Sequence, residues 1–77
     1  MIVRVRHRGT TSWWNEEEGF GVITSPDFVG DIWVHFSFLK MDGYRSLHEG
    51  QAVEFKDVMT PSLEPGYPHQ ARWVRPL

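Results

Sequence analysis

The chain contains no cysteine, which excludes disulfide staples and thiolate metal sites. Its four histidines, His7, His35, His48 and His69, are scattered, with no pair at zinc-ligand spacing. No stretch approaches the roughly 18 apolar residues of a membrane span, and residues 1–6 lack the apolar run of a secretory signal. Helical periodicity is nearly absent. Positive charge is scarce too: eight Lys and Arg stand against ten Asp and Glu, a net charge of −2. That is a low balance for a chain whose partner would be a polyanion. Phosphate-cradling glycine loops, nucleophile–base pairs and metal clusters are also missing. The expectation is a cytoplasmic protein with no catalytic residues, no cofactor, no metal and no membrane partner, stabilised by an apolar core.

What the chain does have is alternation. Aromatics make up 14% of it, and Gly and Pro break it into five short runs of strand character, expected over 2–14, 19–24, 31–36, 51–58 and 70–75. The first is expected to bend at Gly9. Residues 25–30 form a turn set by Pro26 and Gly30; 37–50 is irregular, with room for one helical turn; 60–68 is a proline-rich loop. Five short strands without a long helix predict an all-β fold, a five-stranded antiparallel barrel. All 77 residues are expected to form a single domain, with 1–8 as a strand extension and 60–68 as a variable loop.

Two strings carry the functional signal. In Gly19-Phe20-Gly21-Val22-Ile23-Thr24, a period of two puts Phe20 and Val22 on one face. In Ile32-Trp33-Val34-His35-Phe36 it puts Trp33 and His35 together. The opposite faces hold Ile23, Ile32 and Val34, as a core requires. Rings on the wet face of a sheet suit unpaired bases, because every base has a face to stack on. The bland alternative is that this stripe packs under another element or subunit. Gly19 and Gly21 are expected to leave backbone bare for a ligand. Trp13 and Trp14 cannot share a face if the strand is regular, and counting from Thr11 sets Trp13 outside.

Other features have two readings. A lone strand histidine such as His35 suits stacking or hydrogen bonding to a base better than catalysis. Glu16, Glu17 and Glu18 read most simply as a solvated turn; alternatively they select against random phosphate contact or engage a basic protein surface. Arg4, Arg6 and Arg8 read as the charged side of an edge strand, or as an extension of a phosphate track. For the last strand, whether Trp73 or Val74 faces inward stays open.

Set out in this way, the chain resembles the cold-shock domain family. Glu18-Gly19-Phe20-Gly21-Val22-Ile23 stands where the family reads Lys-Gly-Phe-Gly-Phe-Ile, and Ile32-Trp33-Val34-His35-Phe36 where it reads Val-Phe-Val-His-Phe. Ser12-Trp13-Trp14-Asn15 is similar to Lys-Trp-Phe-Asn, and the stretch from Asp42-Gly43-Tyr44 to Val53-Glu54-Phe55 follows the family's loop and fourth strand. The resemblance runs from about Gly9 to Val74, weakest over 60–68. It implies a Greek-key barrel of the OB-fold type that binds single-stranded RNA or DNA. It also implies base contacts from Trp13, Phe20, Trp33, His35, Phe36 and Tyr44, with Trp14 flanking them, partly packed; the leading expectation adds Arg45 on the backbone. An RNA chaperone, antiterminator or transcriptional regulator follows from the same likeness. Departures are Val22 for a family phenylalanine, Trp33 for another, and Ser12 and Glu18 for lysines. These departures motivate a second expectation: a protein-interaction module for RNA polymerase, the ribosome or its own copy, a homodimer formed through the N-terminal strand.

Overall fold

A computed structural model describes residues 5–77. Five strands, β1 (His7–Asn15), β2 (Phe20–Thr24), β3 (Ile32–His35), β4 (Ala52–Met59) and β5 (His69–Pro76), close into a barrel in the order β1-β2-β3-β5-β4. A closed ring with an odd number of strands cannot alternate direction throughout. Four seams are antiparallel, and the unavoidable parallel one joins β3 to β5, pairing Ile32 with His69 and Trp33 with Gln70. The Greek-key path follows, since β5 inserts beside β3 while β4 returns to β1.

Element boundaries lie within about a residue of those expected, except at the start. The strand expected from residue 2 begins at His7. Val5 and Arg6 precede it, and residues 1–4, Arg4 among them, lie outside the described residues. The helical turn expected in 37–50 is a 3-10 turn at Phe36–Phe38, directly after β3. No helix among the described residues is long and apolar enough to cross a membrane.

Strand alternation fills the interior with Ile23, Ile32, Val34, Leu39, Leu47, Val53, Phe55, Ala71 and Val74. The register of β5, open from the sequence, resolves with Val74 inward opposite Phe55 and Trp73 outward opposite Lys56. Ala71 is also buried, so strict alternation fails between residues 71 and 74. The break lies opposite Asp57, whose φ of 56° is a left-handed conformation that Asp tolerates better than most residues.

The far end of the barrel is plugged by rings. Phe28, from the β2–β3 turn, packs against His7, Phe55 and His69 at centroid distances of 4.9, 5.9 and 5.2 Å. Hydrogen bonds hold the plug: the His7 ring donates to Asp27 at 2.9 Å. His69 Nε2–H donates to the Val29 carbonyl, while the Thr60 hydroxyl donates to His69 Nδ1, both at 2.7 Å. Two of the four histidines are therefore occupied structurally.

Candidate nucleic-acid interface

The outer side of β1, β2 and β3 carries two cross-strand rows. Asn15, Phe20 and His35 form one, and Trp13, Val22 and Trp33 the other. Rings in the two rows meet diagonally. Trp13 touches Phe20 edge-on at 5.8 Å, Phe20 meets Trp33 at 5.9 Å, Trp33 meets His35 at 5.9 Å, and His35 meets Phe36 at 4.6 Å. Five of the expected base-contacting rings thus form one unbroken string. Such spacing is typical of mutually supporting aromatic pairs, which limits how far each ring can tilt.

Trp13 reaches this face through a bulge. Thr11 pairs with Ile23 and is buried, yet Trp13 pairs with Val22 and points outward. Both cannot follow from a period of two. The register slips at Ser12, where an extra residue reverses the phase of the strand. Trp14 consequently turns inward, half-buried, and packs against the core rather than joining the string.

Two expectations are corrected. Val22 is on the outer side but has no exposed surface; it is the floor between the larger Trp13 and Trp33, not part of the wet surface. The glycines do not leave backbone bare for a ligand either. A Cβ on Gly21 would stand 2.5 Å from the Trp14 ring, and one on Gly19, at φ 74°, would stand 2.6 Å from the Phe36 ring. Each glycine makes room for one of the protein's own rings.

His35 is oriented by its neighbour. The Ser37 backbone N–H donates to His35 Nδ1 at 3.3 Å, and the Ser37 hydroxyl lies 2.8 Å from the same nitrogen. With Nδ1 accepting, the neutral ring carries its proton on Nε2, which makes that nitrogen a hydrogen-bond donor. Ser37 has no role in the sequence reading; its signal is the spacing of two from His35 at the start of a turn. The indole Nε1 of Trp33 is buried without a partner, so this residue offers its ring rather than its N–H.

Beyond Phe36, 41% exposed, a cleft of about 480 Å³ separates that ring from Tyr44, 71% exposed, and Arg45. Glu16, Glu17 and Glu18 line the same cleft. These three residues form the β1–β2 turn, pinned by Asn15, whose Oδ1 accepts the Glu18 N–H at 3.0 Å and whose carbonyl accepts the Gly19 N–H at 2.9 Å. Glu16 also accepts from the Ser46 hydroxyl at 3.2 Å. The cleft end of the ring string is therefore acidic, with Arg45 as the cation among its lining residues. Among the described residues no group of three or more His, Cys, Asp or Glu is placed to hold a metal ion.

Comparison with known proteins agrees with this architecture. The model of the 'Cold-shock' DNA-binding domain matches residues 7–62. "Cold shock protein CspA" of Staphylococcus aureus (strain USA300) is 53% identical over 51 residues, covering 66% of this chain and 76% of that protein. "Cold shock-like protein CspE" of Buchnera aphidicola subsp. Acyrthosiphon pisum (strain APS) is 47% identical over 49 residues, covering 64% of this chain and 71% of that protein. The closed five-stranded barrel and these matches place the chain in the cold-shock domain family, a family of nucleic-acid-binding domains.

Proposed function

We propose that this protein binds single-stranded RNA or DNA by stacking successive bases on Trp13, Phe20, Trp33, His35 and Phe36. Tyr44 continues the path across the cleft, Arg45 meets the backbone, and Trp14 supports Trp13 from within. The observation that carries this reading is the unbroken string of five rings running along an outer sheet face onto the turn after β3. Base stacking of this kind contributes about 1–3 kcal/mol per base and tolerates any sequence. The action is binding without chemistry, which suits an RNA chaperone, an antiterminator or a transcriptional regulator.

The acidic turn shapes this activity. Three carboxylates at one end of the ring string lower the local attraction for phosphate, so binding leans on stacking and discriminates against paired strands, whose base faces are hidden. Four tryptophans provide the test. Titration with oligo-thymidine and with an unstructured RNA, at several salt concentrations, should quench the fluorescence of Trp13 and Trp33. Absence of quenching even at low salt would favour the interaction module, and sizing chromatography across concentrations would then look for self-association.

A further inference from the structure

Away from the ring string, the outer side of β1, β4 and β5 carries a second set of rows. Arg8, Glu54 and Arg75 are cross-strand neighbours, as are Lys56 and Trp73 one step along. Arg6 joins both: its guanidinium donates to Glu54 at 3.2 Å and lies 5.3 Å from the Trp73 ring centroid. Lys56 Nζ is 4.7 Å from the same centroid, and Arg75 donates to Glu54 at 2.9 Å. Four cations therefore share these rows with a single carboxylate, Glu54, which is largely covered and bridged twice. In a chain with net charge −2, this is a marked local excess of positive charge.

We propose that this basic face carries the phosphate backbone of a single strand whose bases stack on the ring string, lengthening the bound segment. The inference rests on the stacking reading and adds a second contact surface to it. β1 links the two surfaces. Its outer side presents Trp13, then the exposed Ser12 and Thr10, then Arg8 and Arg6, so hydroxyls bridge rings to cations over roughly 15 Å at the usual strand rise. The acidic Glu16–Glu18 turn follows the end of β1 remote from Arg8 and Arg6, which gives the strand one favourable direction of exit along β1. An acidic protein segment is the poorer occupant. Trp73, the natural apolar anchor for a protein partner, already has two cations against its ring, so the face presents charge spaced along strands rather than a pocket.

The experiment compares a tetranucleotide with an oligonucleotide of about twelve residues, within the range bound by one such barrel, on the wild type and on the Arg8→Gln/Lys56→Gln variant. Affinity is read by tryptophan quenching across a salt series. For the wild type, the longer strand should show a log–log salt slope steeper by about 0.7 for each added phosphate contact. The double variant should lose about 1.4 of that slope and bind the longer strand roughly five- to tenfold more weakly at low salt, with tetranucleotide affinity unchanged. Arg8→Gln alone, which leaves Lys56 on Trp73, should show half the slope change and guards against misfolding of the double variant. Equal slopes for the two lengths in the wild type, or unchanged binding of the longer strand by both variants, would overturn the proposal. A wild type that fails to bind the tetranucleotide but holds the longer strand would instead sink the ring-face reading. Loss of self-association in sedimentation, without loss of oligonucleotide affinity, would assign the face to a second copy and end the proposal.

Discussion

Ile32 and Trp33 are adjacent in sequence and opposite in consequence. Ile32 is wholly buried in the core cluster, so Ile32→Ala should cost about 2–5 kcal/mol of stability and leave the binding surface in place. Trp33→Ala should do the reverse, weakening oligonucleotide binding by about 1–3 kcal/mol with a small change in unfolding midpoint. Similar loss of stability in both variants would mean that the two faces are assigned the wrong way round. Val22 gives a sharper test. It has no exposed surface and pairs with Trp13 on one side and Trp33 on the other, so a larger side chain must push an indole aside. The family resemblance suggests that Val22→Phe would restore a lost stacking platform. The packing predicts overfilling at about 1–3 kcal/mol, relieved in Val22→Phe/Trp33→Phe, where a smaller ring at 33 offsets the ring added at 22. Urea melts of both singles and the double should therefore be strongly non-additive. Thr11 offers a gain: its hydroxyl is buried without a partner, and Thr11→Val should raise stability by about 1 kcal/mol.

At the scale of elements, the β1–β2 turn separates structure from electrostatics. Asn15 holds it through the backbone N–H groups of Glu18 and Gly19, so the Glu18 side chain is free to change. Glu18→Lys should leave the fold intact and steepen the salt slope for a short oligonucleotide by about 0.7 for one new phosphate contact; an unchanged slope would place the turn off the strand's path. The strands themselves were legible because alternation and turn residues are local signals, and the core residues Ile23, Ile32 and Val34 followed from the same period. What was not legible depends on phase slips and distant neighbours. The bulge at Ser12 reverses β1 within two residues, so Trp13 arrives outside although Thr11, from which its side was counted, is inside. At the left-handed Asp57 the inward–outward phase changes while the pairing of β4 with β5 keeps its register, and a period of two therefore does not orient Trp73. Gly19 and Gly21 face Phe36 and Trp14, rings whose positions are fixed by other strands or by the bulge, and no local pattern reports that. Phe20, Trp33 and His35 needed only the period; Phe36 and Tyr44 rest on the resemblance, since a turn and a loop have no period to read.

Across the whole molecule, an odd strand count makes one parallel seam compulsory, and that seam is short. β3 and β5 share two paired positions, Ile32 with His69 and Trp33 with Gln70, supplemented by a parallel bridge between Leu39 and Val74. Parallel pairing is slightly weaker per residue than antiparallel pairing, whereas β4 and β5 pair at six positions. The barrel should therefore open at β3–β5 before it unfolds globally. The His69 bond to the Val29 carbonyl at 2.7 Å ties the start of β5 to the β2–β3 turn and restrains this opening. Native-state hydrogen exchange should show β4–β5 amides exchanging with the free energy of global unfolding and the seam amides exchanging faster through a partial opening. His69→Ala should speed exchange at the seam more than elsewhere. Because Trp33 lies on this seam and in the ring string, a base stacked upon it binds the closed barrel in preference to the open one. An oligonucleotide should thus slow seam exchange by the same factor as exchange through global unfolding, although the seam opens without losing the rest of the barrel. Seam exchange unchanged by the oligonucleotide, while the amides that need global unfolding slow, would show that ligand binding and barrel closure are uncoupled.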